Sequence, residues 1–208
     1  MKVDEFLGGI EKILLQNGPR TLIGIVGKPG IGKSTLVERV KVEYPGVEVS
    51  TISLDGYHLS NETLESLGAR GRKGAPDTFD FKSFVALLRR IKSANQDIRF
   101  PIFHREIEAS IADEGVVPAA ARVVIVEGNY LLSTDYGWGE VADLLDFSYY
   151  LELQEDVRLE RLIERHIRYG KSPEAAREWA MGTDESNARF IERTRGRATD
   201  IIEFPPGE

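Results

Sequence analysis

The chain has 208 residues, 41% of them hydrophobic and 29% charged, which suits a single globular domain over residues 1–208 rather than a disordered chain. Its formal net charge of -7 argues against a nucleic-acid partner or an anionic membrane surface. The absence of cysteine excludes disulfides, a thiol nucleophile and cysteine-bound zinc. Because there is no long apolar run and the acidic N-terminus is unlike a signal peptide, we expect a cytoplasmic protein without membrane insertion.

Helical and strand periodicities alternate along the chain. In chain order they predict a helix over residues 7–17, a strand over 21–26, a helix from 34, a strand over 47–54, a helix over 81–91, strand pieces over 99–117, strands over 122–126 and 147–151, a helix over 155–169, a second helical stretch from about 173 and a short strand at 201–202. Strands that alternate with helices indicate an α/β fold whose parallel sheet is covered on both faces.

Two connections stand out in this pattern. Residues 66–80 are rich in glycine and form a long predicted loop, a kind of segment that is usually functional or mobile. The basic run 70–74 inside it could close over an anionic or polyol substrate, or could be a solvated loop. The strand pieces over 99–117 are predicted to form a hairpin that turns at residues 113–115, Asp-Glu-Gly.

One segment matches the P-loop pattern G-x-x-x-x-G-K-[ST] between a predicted strand and a predicted helix. Its residues, all predicted to bind nucleotide, are Gly27, Lys28, Pro29, Gly30, Ile31, Gly32, Lys33, Ser34 and Thr35. Glycines let consecutive backbone N–H groups face a triphosphate, and the helix N-terminus adds partial positive charge. Lys33 would reach the β- and γ-phosphates, and the Ser34 hydroxyl would ligate Mg²⁺. The alternative is a glycine turn that precedes a helix by chance.

Two carboxylates end neighbouring predicted strands. Asp55 closes the strand that follows the P-loop helix, and Glu127 closes the β-branched strand 122–126. Since ligands of parallel sheets bind beyond the carboxyl ends of the strands, both should lie beside the P-loop. They are candidates for a general base and for a metal ligand. The alternatives are that Asp55 only caps an Asp-Gly turn and that Glu127 only forms a salt bridge.

The predicted helix over 155–169 carries basic and apolar stripes. The basic stripe is Arg158, Arg161, Arg165 and Arg168, and the apolar stripe is Leu159, Leu162, Ile163 and Ile167. Such a stripe could clamp a transferring phosphoryl group, as an arginine finger does. The alternative is a solvated face paired with the acidic side chains of the same helix. For the group we expect at least one phosphate contact.

The three histidines have no metal-ligand spacing. They are His58, His104 and His166. A zinc site is therefore not expected, and His58 and His104 are expected to line a pocket or lie on the surface rather than act as bases.

An ordered set of motifs resembles a known superfamily. After the P-loop come Asp-Gly-Tyr-His at 55–58, Arg-Lys-Gly-Ala-Pro-Asp-Thr-Phe-Asp at 72–80 and Glu-Gly-Asn-Tyr-Leu-Leu at 127–132. From about Thr21 to Ile202, the chain resembles the superfamily of phosphoribulokinase, uridine kinase and pantothenate kinase. Within it, the chain looks most like bacterial nucleoside- or sugar-kinase-like proteins assigned to fructose transport.

The resemblance implies a three-layer P-loop fold with a five-stranded parallel sheet, a lid over about 155–185 and a substrate-side insertion over about 99–118. It implies ATP and Mg²⁺, with Asp55 as general base and Glu127 near the metal and the substrate. The lid arginines implied to grip the phosphates are Arg161, Arg165 and Arg168. Arg105 falls where relatives place substrate contacts, and the chain departs from them by having His104 where Asp often precedes that arginine. Asn187 and Arg197 match residues near the nucleotide only loosely, and dimers are common in the superfamily.

The main hypothesis is an ATP-dependent kinase that phosphorylates a hydroxyl of a small metabolite. Its predicted catalytic residues are Asp55, Lys33 and Arg165; its metal ligands are Ser34 and Glu127; its substrate-binding residues are Asp55, Tyr57, His58, Arg72, Phe79, His104, Arg105, Glu127 and Tyr130. Pantothenate, uridine, nicotinamide riboside, fructose and glycerate all remain open as acceptors. A GTPase switch lacks its Asn-Lys-x-Asp and Asp-x-x-Gly strings, and a non-catalytic nucleotide-binding partner of a transport system is the other alternative.

Overall fold

The computed structural model describes residues 1–205 and has a five-stranded parallel sheet at its centre. The strands are β1 (Thr21–Val26), β2 (Val49–Ser53), β3 (Ile98–His104), β4 (Ala109–Val117), β5 (Val123–Glu127), β6 (Phe147–Glu152) and β7 (Asp200–Glu203). The parallel sheet has the order β2-β5-β1-β6-β7, and β3 and β4 form a separate antiparallel hairpin. The predicted α/β fold with five parallel strands is confirmed.

Helices cover both faces of this sheet. They are α1 (Val3–Leu15), α2 (Lys33–Glu43), α3 (Asn61–Ser66), α4 (Phe81–Ser93), α5 (Gly139–Leu144), α6 (Glu155–Arg168), α7 (Pro173–Trp179) and α8 (Glu185–Glu192), with a π-helical turn (Ala180–Asp184) before α8. One core contains side chains of α1 and α2, and the other contains side chains of α4, α5 and α8. Within residues 1–205, no helix is both long and apolar enough to cross a bilayer.

The β-branched run in β5 explains why this strand lies inside the sheet. All five of its residues are buried, and it pairs with β1 on one side and with β2 on the other. Alternate side chains enter opposite cores: Val124 and Val126 join one, and Val123 and Ile125 join the other. Glu127 therefore reaches the carboxyl edge of the sheet directly from a rigid strand.

The predicted hairpin turn at residues 113–115 is wrong. These residues lie inside β4, and the chain turns between His104 and Ala109 instead. The register moves from Phe100↔Gly115 to Ile102↔Ile111, which leaves extra residues bulged on β4, and Asp113 has φ 56°. The Phe100 ring requires the glycine, because a Cβ at Gly115 would lie 2.4 Å from it. Residues of a type that usually forms turns therefore form a bulge in β4 here.

The glycine-rich segment 66–80 is more ordered than a long loop. It contains two 3₁₀ turns, Arg70–Arg72 and Pro76–Thr78, and α3 directly precedes it. Tyr130 donates its hydroxyl to the Gly74 carbonyl at 2.5 Å, and the buried Trp138 indole donates to the Pro76 carbonyl at 3.0 Å. These contacts attach the segment to the core. The lid and insertion boundaries, and the single-domain organisation, stay predictions.

Candidate active site

The P-loop has the backbone conformation that its glycines permit. Gly30 and Gly32 have φ of 83° and 100°, in the left-handed region that side chains disfavour. Space also excludes a side chain there, because a Cβ at Gly30 would lie 2.8 Å from the Arg158 carbonyl oxygen. A Cβ at Gly32 would lie 2.8 Å from the Phe204 ring. α2 starts at Lys33, directly after this turn, so its free N–H groups open toward the loop.

Lys33 folds back over the P-loop. Its Nζ donates to the carbonyl oxygens of Gly27 and Lys28 at 2.8 and 3.1 Å. Burial lowers the pKa of the Lys33 ammonium to about 8, against the opposing charges of Glu127 and Asp55. A buried cation that donates to neutral carbonyls can be stabilised further by a phosphate anion.

Ser34 and Glu127 meet beside the loop. The Ser34 hydroxyl lies 3.2 and 3.1 Å from the two carboxylate oxygens of Glu127. Burial and then the nearby charge of Asp55 raise the pKa of the Glu127 carboxyl, although Lys33 and Ser34 oppose the shift. Across the described part of the chain, no three His, Asp or Glu side chains converge on a metal position. A hydroxyl and one carboxylate are the sparse oxygen set that suits Mg²⁺ completed by phosphate and water.

Asp55 lies in a 3₁₀ turn immediately after β2 and forms an ion pair with Arg105. Arg105 donates from Nη2 to Asp55 Oδ2 at 2.5 Å. The hairpin β3–β4 can approach so closely because the next residue is Gly56, whose Cβ would lie 2.2 Å from the Pro101 carbonyl oxygen. Burial acts to raise the pKa of Asp55, but Arg105, with weaker help from His58, Arg165 and Lys33, holds it below its usual value.

An aromatic wall lies next to Asp55. The His58 ring stacks on Phe79 at 4.1 Å and on Phe103 at 4.9 Å between ring centroids. His58 Nδ1 lies 2.8 Å from the Asp55 carbonyl oxygen, and burial lowers the pKa of His58, against the opposing charge of Asp55. His58 therefore lies beside Asp55, and its predicted place in a substrate pocket stays a prediction.

Several residues predicted to bind substrate lie elsewhere. Tyr57 and Tyr130 are buried in the core, where Tyr57 packs on Phe84 and Tyr130 holds Gly74. Exposed Arg72 is paired with Asp77, and His104 with Glu114 at 2.6 Å. For Tyr57 and Tyr130 the geometry indicates a positioning role rather than the predicted contact with substrate, and for Arg72 and His104 that contact stays a prediction.

The stripe of arginines on α6 divides into different environments. Arg158 is fully buried; it donates to the Pro29 carbonyl and to Glu185, both at 2.9 Å, and also pairs with Glu155. Arg158 therefore braces the P-loop. The sequence pattern did not distinguish it from the other arginines of the stripe. Arg168 is exposed, and so is Ile167 of the predicted apolar stripe, at 40%.

Arg165 is half-buried on α6 and has no carboxylate within ion-pair distance among residues 1–205. Burial lowers the pKa of its guanidinium, with Arg105 acting in the same direction, while Asp184 and Asp55 oppose the shift. An arginine that is partly desolvated and unpaired next to a P-loop is suited to bind an anionic oxygen.

Lys73 is a site residue that the sequence analysis did not single out. Its side chain is 7% exposed and donates to Asn61 Oδ1 and to the Glu108 carbonyl, both at 2.8 Å. The ammonium also lies 5.1 Å from the centroid of the Phe103 ring. Lys73 thus ties the segment 66–80 to the tip of the hairpin. The basic run 70–74 was the sequence feature that could have indicated Lys73. The run does not show which of its basic side chains is buried against the hairpin.

A cavity of about 840 Å³ opens on the opposite side of the P-loop. Its wall includes Lys28, Ile31, Arg39, Tyr150, Phe204 and Pro205. The Tyr150 hydroxyl is buried and has no hydrogen-bond partner among the described residues. In the sheet order, β2 and β5 carry Asp55 and Glu127 to one side of β1, whereas β6 and β7 border the cavity. The P-loop therefore separates two compartments.

The chain has relatives of known family. Residues 22–206 match the Phosphoribulokinase / Uridine kinase family. The "Uncharacterized protein YggC" of Escherichia coli is 32% identical over 191 residues, covering 89% of this chain and 78% of that protein. The "Putative uridine kinase C227.14" of Schizosaccharomyces pombe is 35% identical over 191 residues, covering 86% and 81%.

A solved structure is similar over the whole chain. It is described as a "putative fructose transport system kinase" from Silicibacter sp. TM1040, and it is 35% identical to this chain. It matches with a TM-score of 0.87, covering 99% of this chain and 100% of that one.

Proposed function

This chain belongs to the phosphoribulokinase and uridine kinase family and is a small-molecule kinase with an alcohol group as acceptor, and we propose that its donor is ATP·Mg²⁺ and that Asp55 is its general base. The observation that carries the proposal is the convergence on Lys33 of two carboxylates from neighbouring strands, Asp55 and Glu127. A kinase needs phosphate cradling, a metal and a carboxylate that can accept a hydroxyl proton, and these side chains can supply them.

The donor nucleotide lies across the P-loop in this proposal. Its γ-phosphoryl group faces the compartment of Asp55 and Glu127, and its nucleoside enters the cavity bordered by β6 and β7. One observation supports this direction: the cavity, of about 840 Å³, is large enough for a nucleoside. The N–H groups at the start of α2 and the Lys33 ammonium bind the phosphates.

ATP·Mg²⁺ supplies the phosphoryl group and a divalent charge that neutralises the phosphate oxygens. Ser34 and Glu127 would hold the metal, and Lys33 and Arg165 would bind the phosphate oxygens on which charge develops. Asp55 accepts the proton of the acceptor hydroxyl as its oxygen bonds to the γ-phosphorus. The bond from that phosphorus to the β–γ bridging oxygen breaks, so the products are ADP and a phosphate monoester.

The acceptor in this proposal is a hydroxylated metabolite that binds beside Asp55, His58 and the hairpin β3–β4. A sugar such as fructose, a nucleoside or a pantothenate-like compound are the classes to test. The printed names of the relatives differ among themselves and so leave the acceptor open.

The proposal is tested by coupled ADP release with ATP·Mg²⁺ against a panel of nucleosides, sugars, pantothenate and glycerate. Asp55→Asn is compared with Asp143→Asn, an exposed acid on α5 that serves as a matched control. We expect an acceptor that raises turnover in the wild type and in Asp143→Asn, with a loss of at least about 100-fold in Asp55→Asn. Nucleotide binding without any acceptor-dependent turnover would favour the non-catalytic alternative.

A further inference from the structure

Two arginines face Asp55 from different elements, and they differ in what they can bind. Arg165 lies on α6, whereas Arg105 lies at the tip of the hairpin, next to the aromatic wall. Both lower the pKa of Asp55. In the proposed function, Arg165 has an anion to bind, the phosphoryl group of the donor. Arg105 is paired, among residues 1–205, only with the carboxylate that must act as base.

The Arg105 guanidinium uses little of its hydrogen-bonding capacity. Of its five N–H donors, the one on Nη2 that bonds Asp55 is the only one with a partner among residues 1–205. The side chain is 36% exposed, so the remaining donors can reach a ligand. Its carbon atom Cζ lies 6.0 Å from the Phe103 ring centroid, which holds the guanidinium against the pocket wall.

Lys73, the other cation on this wall, does not offer the same capacity. Its three donors are matched by Asn61 and by the carbonyl and carboxylate of Glu108, and its side chain is almost fully buried. The unused donors of the acceptor pocket are therefore concentrated on Arg105. A planar guanidinium with adjacent free N–H groups fits the two oxygens of a carboxylate or phosphate.

From this geometry, and resting on the proposed function, we infer that the acceptor carries an anionic group, a carboxylate or a phosphate ester, close to the hydroxyl that is phosphorylated. The anion binds the free N–H groups of Arg105 while the hydroxyl bonds Asp55. Because the guanidinium and the carboxylate are already in contact, an anion on Arg105 and a hydroxyl on Asp55 lie close enough to belong to one small acceptor.

The anion would also change the state of the base. In the resting structure, the charge of Arg105 lies against Asp55 and holds its pKa down. Sharing that charge with an anionic acceptor weakens the ion pair, so Asp55 becomes a better proton acceptor when the correct substrate is present. A neutral polyol cannot have this effect. Arg105 thereby sets specificity in two ways: it binds the anion of the acceptor, and it changes the pKa of Asp55 when that anion is bound.

The test uses pairs of compounds that differ only in the anionic group: glycerate and glycerol, and fructose 6-phosphate and fructose. Dissociation constants are measured by calorimetry with Mg²⁺ and a non-hydrolysable ATP analogue, and kcat/KM is measured with ATP. We expect one anion to bind at least tenfold more tightly than its neutral partner. The pair that responds separates carboxylate from phosphate recognition.

Variants identify the residue responsible. The anion preference is expected to fall to within twofold in Arg105→Gln and to survive in part in Arg105→Lys. The preference is expected to remain unchanged in Arg99→Gln, a matched loss of charge at the other end of β3, where the Arg99 side chain donates to the Asp113 carbonyl. If Arg105 instead binds the donor phosphate, Arg105→Gln lowers turnover of both partners equally and the preference persists.

Three results would overturn the inference: equal or tighter binding of the neutral partners, a preference that survives Arg105→Gln, or no binding by any anion of the panel. If a neutral acceptor is phosphorylated in a reaction that requires Asp55, the proposed kinase activity is supported and only the anionic acceptor is contradicted. A different result would contradict the kinase reaction instead: the wild type binds an anion, Arg105→Gln does not bind it, and no compound of the panel gives acceptor-dependent turnover.

Discussion

The Ser34 hydroxyl lies within 3.2 Å of both carboxylate oxygens of Glu127, although 93 positions separate the two residues in the chain. The parallel pairing of β1 with β5 creates this contact, since it aligns Ile25 with Glu127 at the edge where the P-loop begins. A metal bound here would be fixed by a strand end and a helix start, both of which are rigid elements.

Glu127→Gln should therefore damage metal use while preserving the fold. The amide keeps the shape of the side chain but loses the charge that attracts Mg²⁺. We expect the half-saturating Mg²⁺ concentration to rise at least about tenfold and kcat to fall about 100-fold. Initial rates over a Mg²⁺ titration measure both. An unchanged Mg²⁺ dependence would place the metal elsewhere.

Lys33 should take up a proton when nucleotide binds in alkaline solution. With its pKa lowered to about 8, more of the Lys33 side chains are neutral at pH 8.5 than at pH 7.0, and a bound triphosphate favours the charged form. We therefore expect proton uptake on nucleotide binding to be larger at pH 8.5 than at pH 7.0, with affinity falling as pH rises above 8. Calorimetry in buffers of different ionisation enthalpy measures it. Equal uptake at both values would contradict the assignment.

Arg158→Met should destabilise the protein far more than a substitution at an exposed arginine of the same helix. It leaves Glu185 without its buried partner and removes the donor to the Pro29 carbonyl. We expect the free energy of unfolding, measured by urea denaturation, to fall by about 1–3 kcal/mol, since Glu185 keeps its contact with Arg189. Arg168→Met should change it by less than about 0.5 kcal/mol. Similar effects of the two would show that Arg158 does not brace the P-loop.

Gly56→Ala should separate the hairpin from Asp55. The new Cβ would lie 2.2 Å from the Pro101 carbonyl, so β3 must move away and carry Arg105 with it. We expect a stability loss of about 1–3 kcal/mol and a clear drop in kcat/KM for the acceptor, with nucleotide affinity kept. Gly71→Ala, whose Cβ would meet nothing within 4 Å, is the control. Lost nucleotide affinity would mean that the change disturbs the P-loop as well.

The sheet and the nucleotide side of the site could be predicted from local patterns. The β-branched run of β5 and the glycines before Lys33 carry their structural requirements in a few adjacent residues. Asp55 and Glu127 could be brought together because the ends of parallel strands share one edge. In each case, one short segment and one rule of topology were enough.

Other features depend on distant contacts that periodicity does not contain. Asp113 and Gly115 have turn chemistry, yet the Phe100 ring uses the glycine for a bulge. Arg158 and Arg168 belong to one stripe, but only Arg158 finds Pro29 and Glu185. The short helices α3 and α5 span six residues each, too few to show a period.

The most direct measurement of the central claim is the fate of the γ-phosphoryl group itself. Reaction with ATP carrying ¹⁸O in the three terminal γ-oxygens, followed by mass spectrometry, identifies where that group goes. We expect the label in an acceptor phosphate ester whose bridging oxygen is unlabelled, and no such ester with Asp55→Asn. Label found only in inorganic phosphate, at a rate independent of acceptor, would contradict the assignment of this site as a small-molecule kinase.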